Sequence, residues 1–215
     1  YSYAHVPWLK GNGQRGFNDE DIPKDDKKRM LYETGKKLLF ENGYHEIGMD
    51  HFALKTDTLY DAFEKGALHR NFMGYSSSKT KLMIGLGVSS ISDSWYSFAQ
   101  NVKSLEEYYQ LLEQNKLPVY RGHLLTDEDL IIRKHILNLM CQFETSWKNQ
   151  EAYFEEIPEV LNQLKEMEND GLLIIKENSI AVTEKGKPYV RNICMAFDLR
   201  LKRKAPETEL FSMTI

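Results

Sequence analysis

The sequence predicts an α/β segment followed by a mainly α-helical one, and three observations carry that expectation. Between residues 44 and 88, short β-rich runs alternate with a helical stretch, the pattern of α/β units with parallel strands. After Tyr120-Arg121-Gly122 the pattern changes to two long amphipathic stretches followed by two short apolar runs, the helix, helix, two-stranded wing order of a winged-helix layout. Between the strand-like runs, residues 68–80 form a loop of His, Arg, Asn, aromatic residues and three consecutive serines, and scaffolds of this class carry functional residues on such loops. The chain therefore divides into residues 1–122 and 123–215.

Taken in order, Tyr1-Ser2-Tyr3-Ala4-His5-Val6 is rich in β-formers and stops at Pro7, which cannot donate a ladder hydrogen bond. It reads as a strand entering a loop, and a chain that opens inside such a segment reads as part of a longer one. Pro23 after Asp21-Ile22 signals a helix start, and Met30, Leu31, Thr34, Leu38 and Leu39 recur near helical spacing. Asn42-Gly43 is a C-cap pair, so a helix is expected over 24–42. A strand over 44–49, a helix over 57–65 stopped by Gly66, and a strand over 81–88 follow. So few strands cannot close a barrel, so this part reads as the tail of a larger sheet with an exposed edge. Beyond residue 122, Thr126 before Asp127, Glu128 and Asp129 is an N-cap with an acidic first turn. A second helix starts near Pro158 and ends at Asn169-Asp170-Gly171. Runs at 172–175 and 180–182 flank a turn at Glu177-Asn178-Ser179, and a final helix is expected over 186–204.

Bulk properties exclude several classes. The formal charge of −4 and the acidic helix at 159–170 oppose binding to nucleic-acid phosphates. No apolar run approaches the roughly 20 residues that span a bilayer, and no signal segment opens the chain, so neither nucleic acid nor membrane is an expected partner and a cytoplasmic location is the default. Cys141 and Cys194 fit no zinc or redox spacing and read as buried small hydrophobes.

Chemistry-bearing candidates are few. Asp50 and His51 close the first strand, where His51 suits proton transfer and equally a structural hydrogen bond with Asp50. Gly85-Leu86-Gly87-Val88-Ser89-Ser90-Ile91-Ser92 lacks both the Lys-Ser/Thr ending of a phosphate loop and the full G-x-G-x-x-G of a dinucleotide fold. Its glycines read first as close backbone packing. His45, His51 and His69 share one region without H-x-x-x-H spacing, and no metal site is expected.

Five blocks stand out beyond packing needs: Tyr3-Ala4-His5-Val6-Pro7, Gly48-Met49-Asp50-His51-Phe52, Leu68-His69-Arg70-Asn71-Phe72-Met73-Gly74-Tyr75, the glycine segment above, and Arg191-Asn192-Ile193-Cys194-Met195-Ala196-Phe197-Asp198. Together they resemble the C-terminal half of the oxygen-independent coproporphyrinogen III oxidases, radical S-adenosylmethionine (SAM) enzymes of haem synthesis, over nearly the whole chain. The resemblance implies the last part of a radical-SAM partial TIM-like barrel, followed by a helical winged-helix-like domain. It implies SAM and a [4Fe–4S] cluster in the full-length protein, the cluster held by a C-x-x-x-C-x-x-C motif that two distant cysteines cannot supply. By position, Ile91 would lie against SAM, Ala4 near a second SAM, and Phe72 near the same cofactor region, with Phe72 and Ile91 offering apolar contact to an adenosyl group. Met73 stands where family members often have glutamine.

The implied reaction is oxidative decarboxylation of two propionates of coproporphyrinogen III to vinyl groups, giving protoporphyrinogen IX. A tetrapyrrole with four propionates calls for charge-assisted contacts. Arg70, Arg121 and Arg191 are the candidates, Arg70 first, with His51 as a further substrate-side residue. The fragment alone is expected to be inactive, its partner being the missing N-terminal half. One alternative is a haem-delivering or haem-degrading radical-SAM relative, whose delivering branch carries different blocks at 49–52 and 71–75. The other is a noncatalytic winged-helix interaction module.

Overall fold

The computed structural model describes residue 16 and residues 18–204; the strand expected at 1–6, with Ala4, lies outside them. Helix α1, Asp25–Glu41, starts beyond Pro23 with Asp25 and Asp26 in its first turn and ends at Asn42, close to the expected bounds. Strands β1 (Tyr44–Gly48) and β2 (His51–Leu54) pair antiparallel through a two-residue connection. Helix α2, Thr58–Glu64, is capped by Asp57, whose side chain accepts from Leu59 N at 2.7 Å.

Residues 68–80, expected as a loop, instead contain a second antiparallel hairpin of β3 (His69–Asn71) and β4 (Gly74–Ser76). Strands β5 (Ile91–Asp93), β6 (Ser97–Asn101) and β7 (Val119–Leu124) form a third antiparallel sheet, with helix α3 (Leu105–Glu113) between β6 and β7. The parallel pairing expected for residues 44–88 is thus replaced, because two-residue connections can join only antiparallel neighbours. The strand expected at 81–88 is absent as well. That segment makes a single bridge, Met83 to Asp93, and turns at Gly87, whose φ of +92° interrupts any extended run.

Helix α4, Asp127–Gln142, carries the expected cap as a capping box: Thr126 Oγ1 accepts from Asp129 N at 3.2 Å while Asp129 Oδ2 accepts from Thr126 N at 2.8 Å. Helix α5, Ile157–Asn169, has Pro158 in its first turn. Strands β9 (Leu173–Lys176) and β10 (Ser179–Val182) form the expected wing, and β8 (Glu144–Ser146), which no pattern announced, adds to β10. The single helix expected over 186–204 is broken into a 3-10 turn, α6 (Val190–Met195) and α7 (Leu199–Lys204). The break has a local cause. Asp198 Oδ1 accepts from Leu201 N at 2.9 Å, capping a new helix, while Phe197 is turned fully into the core.

Leu139, Leu164, Leu173, Ile180, Ile193 and Phe197 are fully buried, and the same apolar cluster takes in Ile47, Ala53, Ala62 and Leu68 from the first part of the chain. Among the described residues no helix is long and apolar enough to cross a membrane.

The most deeply buried of the polar side chains among the described residues is His135 on α4, 1% exposed. Its Nε2 lies 2.7 Å from the Ala152 carbonyl and its Nδ1 2.7 Å from Thr145 Oγ1. A carbonyl can only accept, so Nε2 carries the proton and Nδ1 accepts from the threonine. The ring stacks on Phe197 with centroids 5.5 Å apart. Burial lowers its pKa below the ordinary 6.5, and burial acts likewise on His51 and His69. The unfolded chain therefore takes up protons that the folded chain resists. The stability this contributes is complete above pH 6.5 and is lost as the pH falls below it. Denaturant unfolding should show stability dropping between about pH 7 and pH 5, and His135→Gln should flatten that slope while lowering stability at pH 8 by about 1–3 kcal/mol.

Candidate functional site

The sheet register sets one wall of the site. Ile91 pairs with Gln100, Asp93 with Phe98, Phe98 with His123 and Gln100 with Arg121. Directly paired residues share a face, so Ile91, Asp93, Phe98, Gln100, Arg121 and His123 stand on the same side. Arg133 of α4 closes on this face. Its Nη2 and Nη1 donate to Asp93 Oδ2 and Oδ1 at 2.5 and 3.1 Å, and Nη1 also donates to the Trp95 carbonyl at 2.9 Å. The guanidinium lies 4.4 Å from the Trp95 ring centroid and 5.0 Å from that of Phe98, a fully committed cation that fixes helix against sheet.

The β3–β4 hairpin supplies the facing groups. Its two-residue turn, Phe72-Met73, is held by Asn71 Oδ1, which accepts from Met73 N at 2.8 Å. Phe72 projects from it, 52% exposed, and meets Phe98 edge-on at 5.0 Å. Opposite each other on the hairpin, Arg70 lies over the Tyr75 ring at 4.6 Å. Tyr75 donates to the Met140 carbonyl at 2.7 Å and meets His51 edge-on at 5.0 Å. His51 Nδ1 stands 3.0 Å from Asp50 Oδ1. The result is a stack of imidazole, phenol and guanidinium. Burial keeps the Tyr75 hydroxyl protonated well above its usual range, and burial outweighs Asp50 in lowering the pKa of His51.

Arg70 lies where two grooves meet. One, of about 370 Å³, is lined by Arg70, Phe72, Phe98, His123 and Arg133 among others; the second, of about 400 Å³, by Arg70, Met49, Met140, Arg191 and Asp198 among others. Arg70 Nη1 is buried yet has no hydrogen-bond partner among the described residues. A buried guanidinium hydrogen without an acceptor costs free energy that an anionic ligand would recover. At the other end of the first groove, Arg200 donates to both Asp129 oxygens, at 2.5 and 2.7 Å, and holds that carboxyl far below the usual range.

The glycine segment resolves in favour of packing. A Cβ on Gly85 would fall 2.8 Å from the Ile91 carbonyl oxygen, closer than real side chains approach. Its polar backbone is already engaged. Asn101 Nδ2 donates to the Gly85 and Gly87 carbonyls at 3.2 and 2.8 Å, Ser92 Oγ accepts from Gly85 N at 3.0 Å, and Tyr108 Oη accepts from Gly87 N at 3.1 Å. Those N–H groups are not open to a phosphate, and their work is to seat Ile91.

Of the residues singled out in the sequence, Phe72 lines the first groove, Ile91 shares its sheet face with Phe98, and Arg70 joins both grooves. Arg191 lines the second. His51 stands behind Tyr75. Arg121 is exposed on β7 and donates from Nε to Gln100 Oε1 at 2.9 Å. Met73 is 83% exposed at the hairpin tip. Ala4 lies outside the described residues. Arg133 and His123 escaped notice; the available signal was Asp129 and Arg133, four apart on a helix otherwise patterned for a core.

Cluster ligands do not fit here. Cys141 and Cys194 are both buried, and burial pushes their thiols up to about 11 and about 12. They stay protonated, and a cluster or zinc ion needs thiolates. Among the described residues no three His, Cys, Asp or Glu side chains come together as a metal site.

No family model matches the chain. It is 38% identical over 210 residues to the oxygen-independent coproporphyrinogen III oxidase of Escherichia coli, covering 95% of this chain and 46% of that one. The Synechocystis protein of the same name is 35% identical over 224 residues, covering 100% and 48%. The solved structure of the Escherichia coli coproporphyrinogen III oxidase, described as a radical-SAM enzyme, superposes with a TM-score of 0.84 at 38% identity, over 93% of this chain and 47% of that one. The chain thus spans about half the length of the curated relatives it matches.

Gly85→Ala should lower stability in denaturant unfolding by about 1–3 kcal/mol through the forced shift against Ile91, whereas Leu86→Ala, at a side chain 83% exposed, should stay within about 0.5 kcal/mol of the parent.

Proposed function

We propose that this chain, homologous over its length to about half of the oxygen-independent coproporphyrinogen III oxidases, is the C-terminal half of such an enzyme. It would contribute to the oxidative decarboxylation of two coproporphyrinogen III propionates in haem biosynthesis. The observation that carries this reading is the match in both sequence and fold, 38% identity with a TM-score of 0.84. Residues 1–122 would complete the barrel and residues 123–215 would pack as the helical domain behind it.

In this reading SAM, when bound, supplies the hydrogen-abstracting chemistry, and no step is assigned to the [4Fe–4S] cluster because its ligands have no counterpart in this chain. Phe72 fits an adenosyl group, being half exposed on a groove wall with its ring braced by Phe98. Ile91, seated by the glycine segment, would extend that apolar wall, and Ala4 would belong to the same neighbourhood. Arg70 would receive a propionate: its Nη1, buried without an acceptor among the described residues, lies where two grooves of about 370 and 400 Å³ meet. Asp50, His51 and Tyr75 would hold Arg70 in place through the ring stack.

The partner would be the remaining half of the protein. Leu82, Ile84 and Leu86 are 61%, 67% and 83% exposed, and Leu105 and Leu112 of α3 and Met30, Leu31 and Leu38 of α1 are also exposed. That much uncovered apolar surface is what a covering domain would bury. The chain alone should show no turnover.

In anaerobic assays of the full-length enzyme, Arg70→Ala should raise KM for coproporphyrinogen III about tenfold or more, and Arg70→Lys should restore part of the loss, since an ammonium keeps the charge without the planar fork. Unchanged kinetics in both would remove Arg70 from substrate binding. Absence of any coproporphyrinogen turnover by the wild-type enzyme, with stoichiometric retention of haem, would favour a haem-handling relative instead.

A further inference from the structure

A third cavity, of about 100 Å³, shares Leu137 with both grooves and is lined by His69 of β3, Lys79, and Lys134, Asn138 and Cys141 along one face of α4. A water needs only about 10–15 Å³ of such space, so the cavity can hold a small multi-atom ligand. Its charge is one-sided, since no carboxylate is among its lining residues. His69 is only 5% exposed, and its ring makes no hydrogen bond among the described residues. Neither ring nitrogen is among the buried polar atoms left without a partner, so the imidazole keeps access to solvent at the cavity it lines, and a ligand oxygen there could take the place of water. Lys79 and Lys134 make no ion pair among the described residues; Lys79 Nζ stands 6.0 Å from the Trp95 ring centroid. Cys141 adds no negative charge, because burial keeps its thiol protonated.

We propose that this cavity is a binding site for a small oxyanion, a phosphate or a carboxylate arm, held by Lys79 and Lys134 at its rim and by the His69 imidazole within. An oxyanion satisfies all three groups at once. It neutralises two lysines that lack a counter-charge, and its oxygen accepts from the buried ring. The shape suits a compact, multiply accepting group better than an apolar one, since an apolar occupant would leave His69 unpaired.

The test uses the 215-residue chain with its six histidines isotopically labelled, the His69 ring signal being assigned through His69→Gln. Sodium phosphate and sodium propionate are titrated separately at constant ionic strength while the ring resonances are followed by NMR. The expected result is a saturable shift of the His69 signal with Kd in the millimolar range or tighter, weakened about tenfold or more in K79A/K134A. The double variant should keep the parent's unfolding transition in anion-free buffer. Saturation by phosphate alone identifies a free inorganic anion, and saturation by propionate alone a carboxylate arm of an organic ligand. A shift that never saturates with either anion, or one that survives in K79A/K134A unchanged, overturns the site. Should K79A/K134A fail to fold, K79Q/K134Q takes its place, and the titration of the parent chain decides by itself whether an anion binds.

Discussion

The ion pair between Arg133 and Asp93 is the constraint on which the architecture turns. It joins the first helix beyond residue 122 to β5, an edge strand of the three-stranded sheet, and both partners are largely buried. Such a pair contributes little net stability compared with an apolar replacement, because both ions must be stripped of water. What it fixes is register. With two oxygens, a carbonyl and two aromatic rings all satisfied by one guanidinium, α4 has one rotational setting against the sheet. That setting aims His135 into the core, brings the Met140 carbonyl to Tyr75, and presents Asp129 to Arg200. The grooves on either side of Arg70 are the space left over once α4 is so placed.

The contrast between Arg133 and Arg70 divides structural from ligand-directed charge. Both are partly buried arginines on elements that face each other across a groove, and both lie against an aromatic ring. One makes three hydrogen bonds to the fold, two to a carboxylate and one to a carbonyl. The other keeps a buried donor without an acceptor among the described residues. A fold that satisfies its polar groups as thoroughly as this one does around Gly85, Asn101 and His135 makes such an exception informative.

Helices were legible in the sequence where caps and periodicity agreed. Thr126 with Asp129, Pro158 near a first turn and Asn42-Gly43 each ended or began a helix near the expected residue. The wing hairpin of β9 and β10 was also legible, but the hairpins before residue 122 were not, and the reason is chemical. Tight two-residue turns announce themselves by Asn-Gly or Asp-Gly, whereas here the turns are Met49-Asp50 and Phe72-Met73. Met49 takes φ +52° without being glycine. Lacking that signal, alternating strand and helix patterns pointed to parallel crossovers, and the antiparallel ladders emerged only in the structure. At the candidate site, Phe72 and Ile91 had been singled out by block resemblance and Arg70 by the unusual composition of its loop. Arg133 was hidden because a helix that buries an arginine looks from its sequence like one that exposes it, and its partner Asp93 lies 40 positions away. The role of the glycines could be ranked but not seen, since it depends on a backbone approach between Gly85 and Ile91.

The brevity of the turn at Phe72-Met73 also limits how this site can diverge. Side chains on a strand alternate between faces, so adding or deleting one residue in a two-residue turn would reverse the face of everything beyond it. Tyr75 would leave Arg70 and His51, and its hydroxyl would lose the Met140 carbonyl that anchors the hairpin to α4. A one-residue change in register at this tip would therefore dismantle the stack, whereas exchange of the Phe72 or Met73 side chain leaves the ladder as it is. The long connection between β4 and β5, tied to the sheet at Met83, Gly85 and Ser89, is free of that restriction along its serine-rich first stretch.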